Sequence, residues 1–157
     1  MNRTRRMVLF FVLLALNAGS ALAQIYRVTD YGANGNGVAE NAAAIQKAID
    51  AAAAVGGGVV LFPAGEYRTT TIFIKDNVTL RLAKGATIKG SPDYDAYPTD
   101  IEPPYETFLL RKDRYPSRVL IAGVKVENVA IEGEGVIDGN VDHPNPVSYT
   151  HLTLPTN

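Results

Sequence analysis

Two stretches of this chain carry the same pattern, and that pattern restricts the fold more than any other feature. Asn77 to Gly90 reads Asn-Val-Thr-Leu-Arg-Leu-Ala-Lys-Gly-Ala-Thr-Ile-Lys-Gly, and Asn128 to Asn140 reads Asn-Val-Ala-Ile-Glu-Gly-Glu-Gly-Val-Ile-Asp-Gly-Asn. Each is a short alternating strand, a glycine-bearing corner, a second short strand and a further glycine. Val78, Leu80 and Leu82 alternate with Thr79 and Arg81, and Val129 and Ile131 alternate with Ala130 and Glu132, so each strand has one apolar face. Neither copy can bury that face alone. Copies about fifty residues apart are what a chain wound into a parallel β-helix shows, its inward residues stacking at about 4.8 Å per rung.

Both ends of the chain are set apart from this pattern. Arg3, Arg5 and Arg6 precede an apolar run from Met7 to Leu16, and Ala21-Leu22-Ala23 precedes Gln24. A basic start, a short apolar centre and a small-x-small end form a secretory leader, with cleavage expected between Ala23 and Gln24 and a periplasmic or extracellular destination. Asn17, Gly19 and Ser20 interrupt the run well short of the roughly 20 apolar residues that span hydrocarbon, so no membrane attachment is expected after leader removal. At the other end, Val147 to Thr156 resembles the conceptual translation of a sequencing adapter, and residues 147–157 are read as a non-native tail. Pro144 and Pro146 stand just before it, in turn chemistry that excludes a central strand.

Between the ends lies residues 24–146, one ordinary domain by its apolar and charged content. Removing the three leader arginines from the 15 basic residues leaves 12 against 16 acids. This mildly acidic balance gives no electrostatic footprint for nucleic acid or an anionic membrane. The chain has no cysteine, so a secreted domain of this kind must rely on core burial and hydrogen bonding rather than disulfides. A monomer is expected.

Gln24 to Thr29 reads as an edge strand and Tyr31 to Gly37 as a turn-rich segment. Asn41 to Ala54 is alanine-rich, with Ile45, Ala48, Ile49, Ala52 and Val55 on one helical face. Asn41 is placed to cap this helix and Gly56 to stop it. An amphipathic helix before the first coil would close the open end of a solenoid. Gly56-Gly57-Gly58 follows the helix and precedes a strand, the wrong order for a phosphate loop, and Gly35-Asn36-Gly37 lacks the third glycine or alanine of a dinucleotide fingerprint. Val59 to Phe62 is an apolar strand ended by Pro63-Ala64-Gly65, and Tyr67 to Ile74 is rich in β-branched residues, with Ile72 and Ile74 alternating against Phe73.

Three segments together resemble a known group: Val28 to Gly37, Ala44 to Asp50, and Gly56 to Tyr67. They are similar to the amino-terminal part of the pectin-degrading β-helix enzymes. Within that group, Asn77 to Asp93 and Gly133-Glu134-Gly135-Val136-Ile137-Asp138-Gly139 most resemble glycoside hydrolase family 28, the polygalacturonase family. The resemblance runs from Ile25 to about Asn140 and covers only the start of that family's pattern. It implies a mainly β chain: a single-stranded, right-handed parallel β-helix of the pectin-lyase type, amino-terminal coils only, with an amino-terminal capping α-helix over about residues 41–54. It further implies a secreted enzyme hydrolysing α-1,4-galacturonosyl bonds of pectin by an inverting mechanism, with pectic polysaccharide as its partner and no cofactor.

Inverting hydrolysis uses two carboxyl groups about 6.5 to 9.5 Å apart. In the resembled family these come with Asn-Thr-Asp, Asp-Asp, Gly-His-Gly and Arg-Ile-Lys motifs, and none of the four occurs here. No catalytic residue is therefore named, and no residues have metal-ligand spacing. Asp138 reads as a turn-capping carboxylate and His143 as a turn histidine. The excursion from Ser91 to Arg118 is loaded with proline and tyrosine. Its Tyr105 and Tyr115 could stack on sugar rings, and its Arg111 and Arg114 could pair with uronate carboxylates. The plainer alternative is a long loop packed on its own scaffold. Two other functions remain open: a β-helix lyase or epimerase acting on uronate polymers, and a non-enzymatic β-helix adhesin.

Overall fold

The computed structural model describes residues 24–99 and 119–140 together with the backbone of Leu152–Thr153. The chain opens with β1 (Ile25–Arg27), a 3-10 turn over Val28–Tyr31, and β2 (Asn36–Glu40). The helix α1 (Ala42–Ala54) follows, then β3 (Gly58–Phe62), β4 (Gly65–Thr69), β5 (Ile72–Phe73), β6 (Val78–Leu82) and β7 (Ala86–Gly90). After a short 3-10 turn at Tyr94–Ala96 come β8 (Ile121–Ala122), β9 (Ala130–Gly133), β10 (Val136–Asp138) and β11 (Leu152–Thr153).

The strands fall into three sheets. The first holds β1, β3, β6 and β9; the second holds β2, β4, β7, β10 and β11; the third holds β5 and β8. From β3 to β10 the chain visits first, second and third sheet in strict rotation, and all pairings except that of β11 are parallel. A chain that returns to each sheet parallel to its previous pass is a right-handed parallel β-helix. The two sequence copies lie on adjacent rungs, Thr79 opposite Ala130 and Leu80 opposite Ile131. The 51-residue spacing of the copies is thus the length of one coil. Leu152–Thr153 runs antiparallel to Val136 and Ile137 and does not continue the winding.

The alternation read from sequence puts apolar residues inward in register. Tyr26, Val60, Leu80 and Ile131 form one column, and Tyr67, Ile88 and Ile137 form another. Val60, Leu80, Leu82, Phe62 and Ile88 are fully buried, while on the last coil Ile131 and Ile137 are only half-buried and Val129 is 39% exposed. The core is closed at one end and thins toward the other.

The closed end is built by α1. The first coil goes from β1 in the first sheet to β2 in the second, and α1 then occupies the position of a third-sheet strand. Gln46 acts as that missing strand. Its Oε1 accepts from Phe73 N at 2.8 Å and its Nε2 donates to Phe73 O at 3.1 Å, so both polar groups of the β5 edge are satisfied. Gln46 Nε2 also reaches Asp50, which pairs with Lys75 Nζ at 2.7 Å. The Lys75 hydrogen bond holds the Asp50 carboxyl below its usual range.

Ile45, Ala48, Ile49 and Ala52 are wholly buried, as their spacing predicts, but Val55 is 65% exposed because the helix has already ended. The terminus is a Schellman arrangement: Gly56 N bonds Ala53 O and Gly57 N bonds Ala52 O, with Gly56 at φ 94°. Asn41 occupies the N-cap position without making a cap bond. Its buried side chain instead accepts from Asn34 N and donates to Ala39 O and Arg68 O, tying the cap to β4. Two further expectations are corrected. The strand expected over Gln24 to Thr29 ends at Arg27, where the 3-10 turn begins, and the segment read as turn ends in β2.

Candidate substrate-facing surface

The long excursion leaves and rejoins the coil at one corner. Between β4 and β5 the chain turns through only Thr70 and Thr71, whereas the matching passage between β7 and β8 takes residues 91–120. Both stems are seated on the preceding corner. Ser91 N bonds Thr69 O at 2.8 Å on the outgoing side; on the return, Thr71 Oγ1 donates to Val119 O and Ile72 N donates to Leu120 O at 3.0 Å. Thr69 and Thr71 are buried polar residues whose hydroxyls are satisfied, Thr69 Oγ1 donating to Thr70 O at 3.1 Å and Thr71 Oγ1 to Val119 O.

The outgoing stem is braced further. The Tyr97 hydroxyl donates to Ser91 O at 3.2 Å and reaches Thr69 O at 3.5 Å, while its ring lies 6.3 Å from that of Tyr94. A Cβ added at Gly90 would lie 2.7 Å from Gly139 O and 3.1 Å from the Tyr97 hydroxyl. Glycine recurs at the end of both sequence copies because the corners of successive coils touch there. Tyr97 thus braces the loop on its scaffold, as the plainer alternative had it for this part. Tyr105, Arg111, Arg114 and Tyr115, the residues read as sugar contacts, lie outside the described residues, as does His143.

Beside this corner the outer face of the second sheet carries charge in register, a feature that the sequence reading missed. Glu40, Arg68, Lys89 and Asp138 occupy one row across β2, β4, β7 and β10. Arg68 Nε lies 2.8 Å from Glu40 Oε1, an electrostatic contact in which the N–H is not aligned for a hydrogen bond. Ser91 Oγ donates to the same carboxylate oxygen at 2.8 Å, and Lys89 Nζ lies 3.3 Å from Glu66 Oε1. Period-two alternation in Gly65–Thr69 and Ala86–Gly90, applied to the polar positions as well as the apolar ones, contains this row.

Several of the described carboxylates have structural partners. Glu132 pairs with Arg81 at 2.6 Å, Asp76 accepts from Glu127 N, Asp93 accepts from Asp95 N, and Asp138 accepts from Asn140 N at 2.8 Å. Asp138 is therefore a turn cap, as its Ile-Asp-Gly context predicts. Asp50, the carboxyl that is displaced downward, moves opposite to what a general acid requires. Among the described residues no group of three or more His, Cys, Asp or Glu could hold a metal, and no helix is long and apolar enough to cross a membrane. Among the described residues the chain presents a polar, ion-paired coil surface and braces a long loop.

Known proteins match this arrangement. The exo-poly-alpha-D-galacturonosidase of Dickeya chrysanthemi is 35% identical over 128 residues, which is 77% of this chain and 20% of that protein. The mannuronan C5-epimerase AlgE4 of Azotobacter vinelandii is 47% identical over 66 residues, 42% of this chain and 12% of the epimerase. Among solved structures, the family 28 exopolygalacturonase of Yersinia enterocolitica superposes with a TM-score of 0.63 at 34% identity, over 77% of this chain and 22% of that one. The chain thus spans about a fifth of the length of the galacturonosidase it matches. Residues 25–115 match the family profile described as rhamnogalacturonase A/epimerase, pectate lyase-like. With that match over more than half its length and the coiled parallel sheets that accompany it, the chain belongs to the rhamnogalacturonase A/epimerase, pectate lyase-like family.

Proposed function

We propose that this chain forms the cap and first coils of a secreted glycoside hydrolase that cleaves α-1,4-galacturonosyl bonds of pectin with inversion. The observation that carries the reading is the length of the galacturonosidase match: 35% identity extends over 77% of the chain, whereas the epimerase match extends over 42%. The two-carboxylate chemistry is assigned to coils that follow residue 146, and residues 147–157 are assigned to a non-native tail. Residues 1–23 are assigned to a secretory leader, and the mature protein acts as a monomer. Arg111 and Arg114 pair with substrate carboxylates and Tyr105 and Tyr115 stack on sugar rings in this reading.

A second reading, a lyase or epimerase on uronate polymers, is favoured by the higher local identity to the epimerase, 47% over 66 residues. The uninterrupted gene product, read through codon 146 and purified, separates the two on polygalacturonate. A hydrolase releases reducing ends without ultraviolet absorbance; a lyase releases reducing ends with the absorbance of an unsaturated uronate. An epimerase releases neither and inverts C5 of the polymer. Reducing ends without absorbance support the proposal, and either other outcome overturns it.

A further inference from the structure

We infer, resting on the leader proposed above, that Gln24 becomes the amino-terminal residue and closes on itself to a pyroglutamyl lactam, which seals the edge strand of the first coil against trimming. Ala21-Leu22-Ala23 ends the leader pattern immediately before Gln24. Cleavage there frees an α-amine on the one residue type whose side-chain amide lies a five-membered ring away from its own nitrogen.

The fold leaves those two groups at liberty. Gln24 is exposed, and its carbonyl accepts from Val59 N at 2.9 Å. No other hydrogen bond holds it among the described residues. Gly58, where a Cβ would lie 2.8 Å from Gln24 O, gives that carbonyl its room. The nitrogen and the side-chain amide can therefore turn toward each other about single bonds while the carbonyl stays seated on β3. Both reacting atoms belong to one residue, so no neighbour has to bring them together.

The step balances without any other reactant. An α-amine ordinarily has a pKa of about 7.7 to 8.0, so near neutral pH a usable fraction is unprotonated. Its lone pair attacks Cδ and forms the N–Cδ bond. The Cδ–Nε2 bond breaks, and ammonia leaves with one of the amine's two protons; the other stays on the lactam nitrogen.

The place of the residue gives the ring its consequence. β1 is three residues long, and its ladder to β3 begins with the bond from Val59 N to Gln24 O. Loss of Gln24 forfeits that acceptor, and trimming through Tyr26 would remove the buried side chain that faces Val60 in the first column. An aminopeptidase needs a free α-amine. The lactam has none, yet it keeps the carbonyl that Val59 uses.

The test is the 157-residue chain expressed with its leader in a secreting bacterial host and recovered outside the cytoplasm. Trypsin releases the peptide that ends at Arg27, and its mass reads both the cleavage site and the ring. The peptide Gln24–Arg27 should be lighter by about 17 Da, the mass of ammonia, in a share that rises with time at neutral pH. The chain should then resist an aminopeptidase. Gln24→Glu puts a carboxylate, a poor acceptor for an amine, in place of the amide; its peptide should keep its full mass, and the aminopeptidase should shorten the chain. A peptide that begins elsewhere than Gln24 would overturn the leader assignment and the inference together. A Gln24–Arg27 peptide that keeps its full mass after prolonged incubation, or a Gln24→Glu chain as resistant as the parent, would overturn the inference and leave the leader assignment standing.

Discussion

Leu80→Ala and Ile131→Ala probe one column of the core at two depths. Leu80 is fully buried between Val60 and Ile131, whereas Ile131 sits on the last rung and is only half-buried. Truncating leucine to alanine removes three carbons, about 2.4 kcal/mol of transfer free energy at about 0.8 kcal/mol per group. A cavity between two rungs cannot collapse without breaking both ladders, so the total should reach about 3 to 4 kcal/mol. Ile131 has no rung beyond it among the described residues, so its truncation opens no closed cavity and should cost about 1 to 2 kcal/mol. For a domain with about 5 to 15 kcal/mol of stability the first change is severe and the second mild. Urea titration followed by circular dichroism reads both: with an m-value of about 2 kcal/mol/M, Leu80→Ala should lower the midpoint by about 1.5 to 2 M and Ile131→Ala by about 0.5 to 1 M. Equal shifts, or the larger shift for Ile131→Ala, would refute the stacked column and the position of its open end.

Further outcomes follow from the same contacts. Gln46→Ala leaves both polar groups of Phe73 without their side-chain partner and should cost about 1 to 2 kcal/mol, with amide exchange at Phe73 accelerating before that of Leu80. Asp50 has its folded pKa depressed, so its contribution is complete above the unfolded value of about 3.9 and is lost as pH falls through the lower folded value. Half of each partner is solvent-exposed, so Asp50→Asn should remove at most about 0.5 kcal/mol of acid dependence, visible only below about pH 4 in a stability-versus-pH titration. Gly90→Ala places a Cβ against Gly139 O and the Tyr97 hydroxyl and should destabilise by about 1 to 3 kcal/mol in urea titration. Purified residues 24–157 should release no reducing sugar from polygalacturonate, since none of the four family motifs is present; measurable release would contradict this.

The parts legible in the sequence are those where a single period decides the outcome. Val78, Leu80 and Leu82 alternate cleanly, and the structure buries all three; the offset between the two asparagine-led copies became the rung register itself. The asparagines even meet, with Asn128 Nδ2 donating to Asn77 Oδ1 at 3.0 Å, and both take positive φ at their corners. The helix face was legible for the same reason. What escaped depends on partners distant in sequence. β2 has no apolar alternation, and it is a strand because β4 pairs with it. Asn41 looked like a cap because its neighbours are helical, but the Arg68 carbonyl of the next coil recruits its side chain. Gln46 gave no signal at all, since its role exists only once α1 stands in for a strand over β5. The charged row of Glu40, Arg68, Lys89 and Asp138 comes from four successive coils, so it appears only when their register is known.

The winding itself is tested most directly by cross-strand proton contacts in a nuclear Overhauser spectrum of the isotope-labelled chain. A parallel coil of this register predicts backbone contacts that pair Thr79 with Ala130, Leu80 with Ile131 and Arg81 with Glu132, ascending together. Contacts that descend along one strand as they ascend along the other, or none between Val78–Leu82 and Ala130–Gly133, would contradict the β-helix and the polysaccharide-active reading built on it.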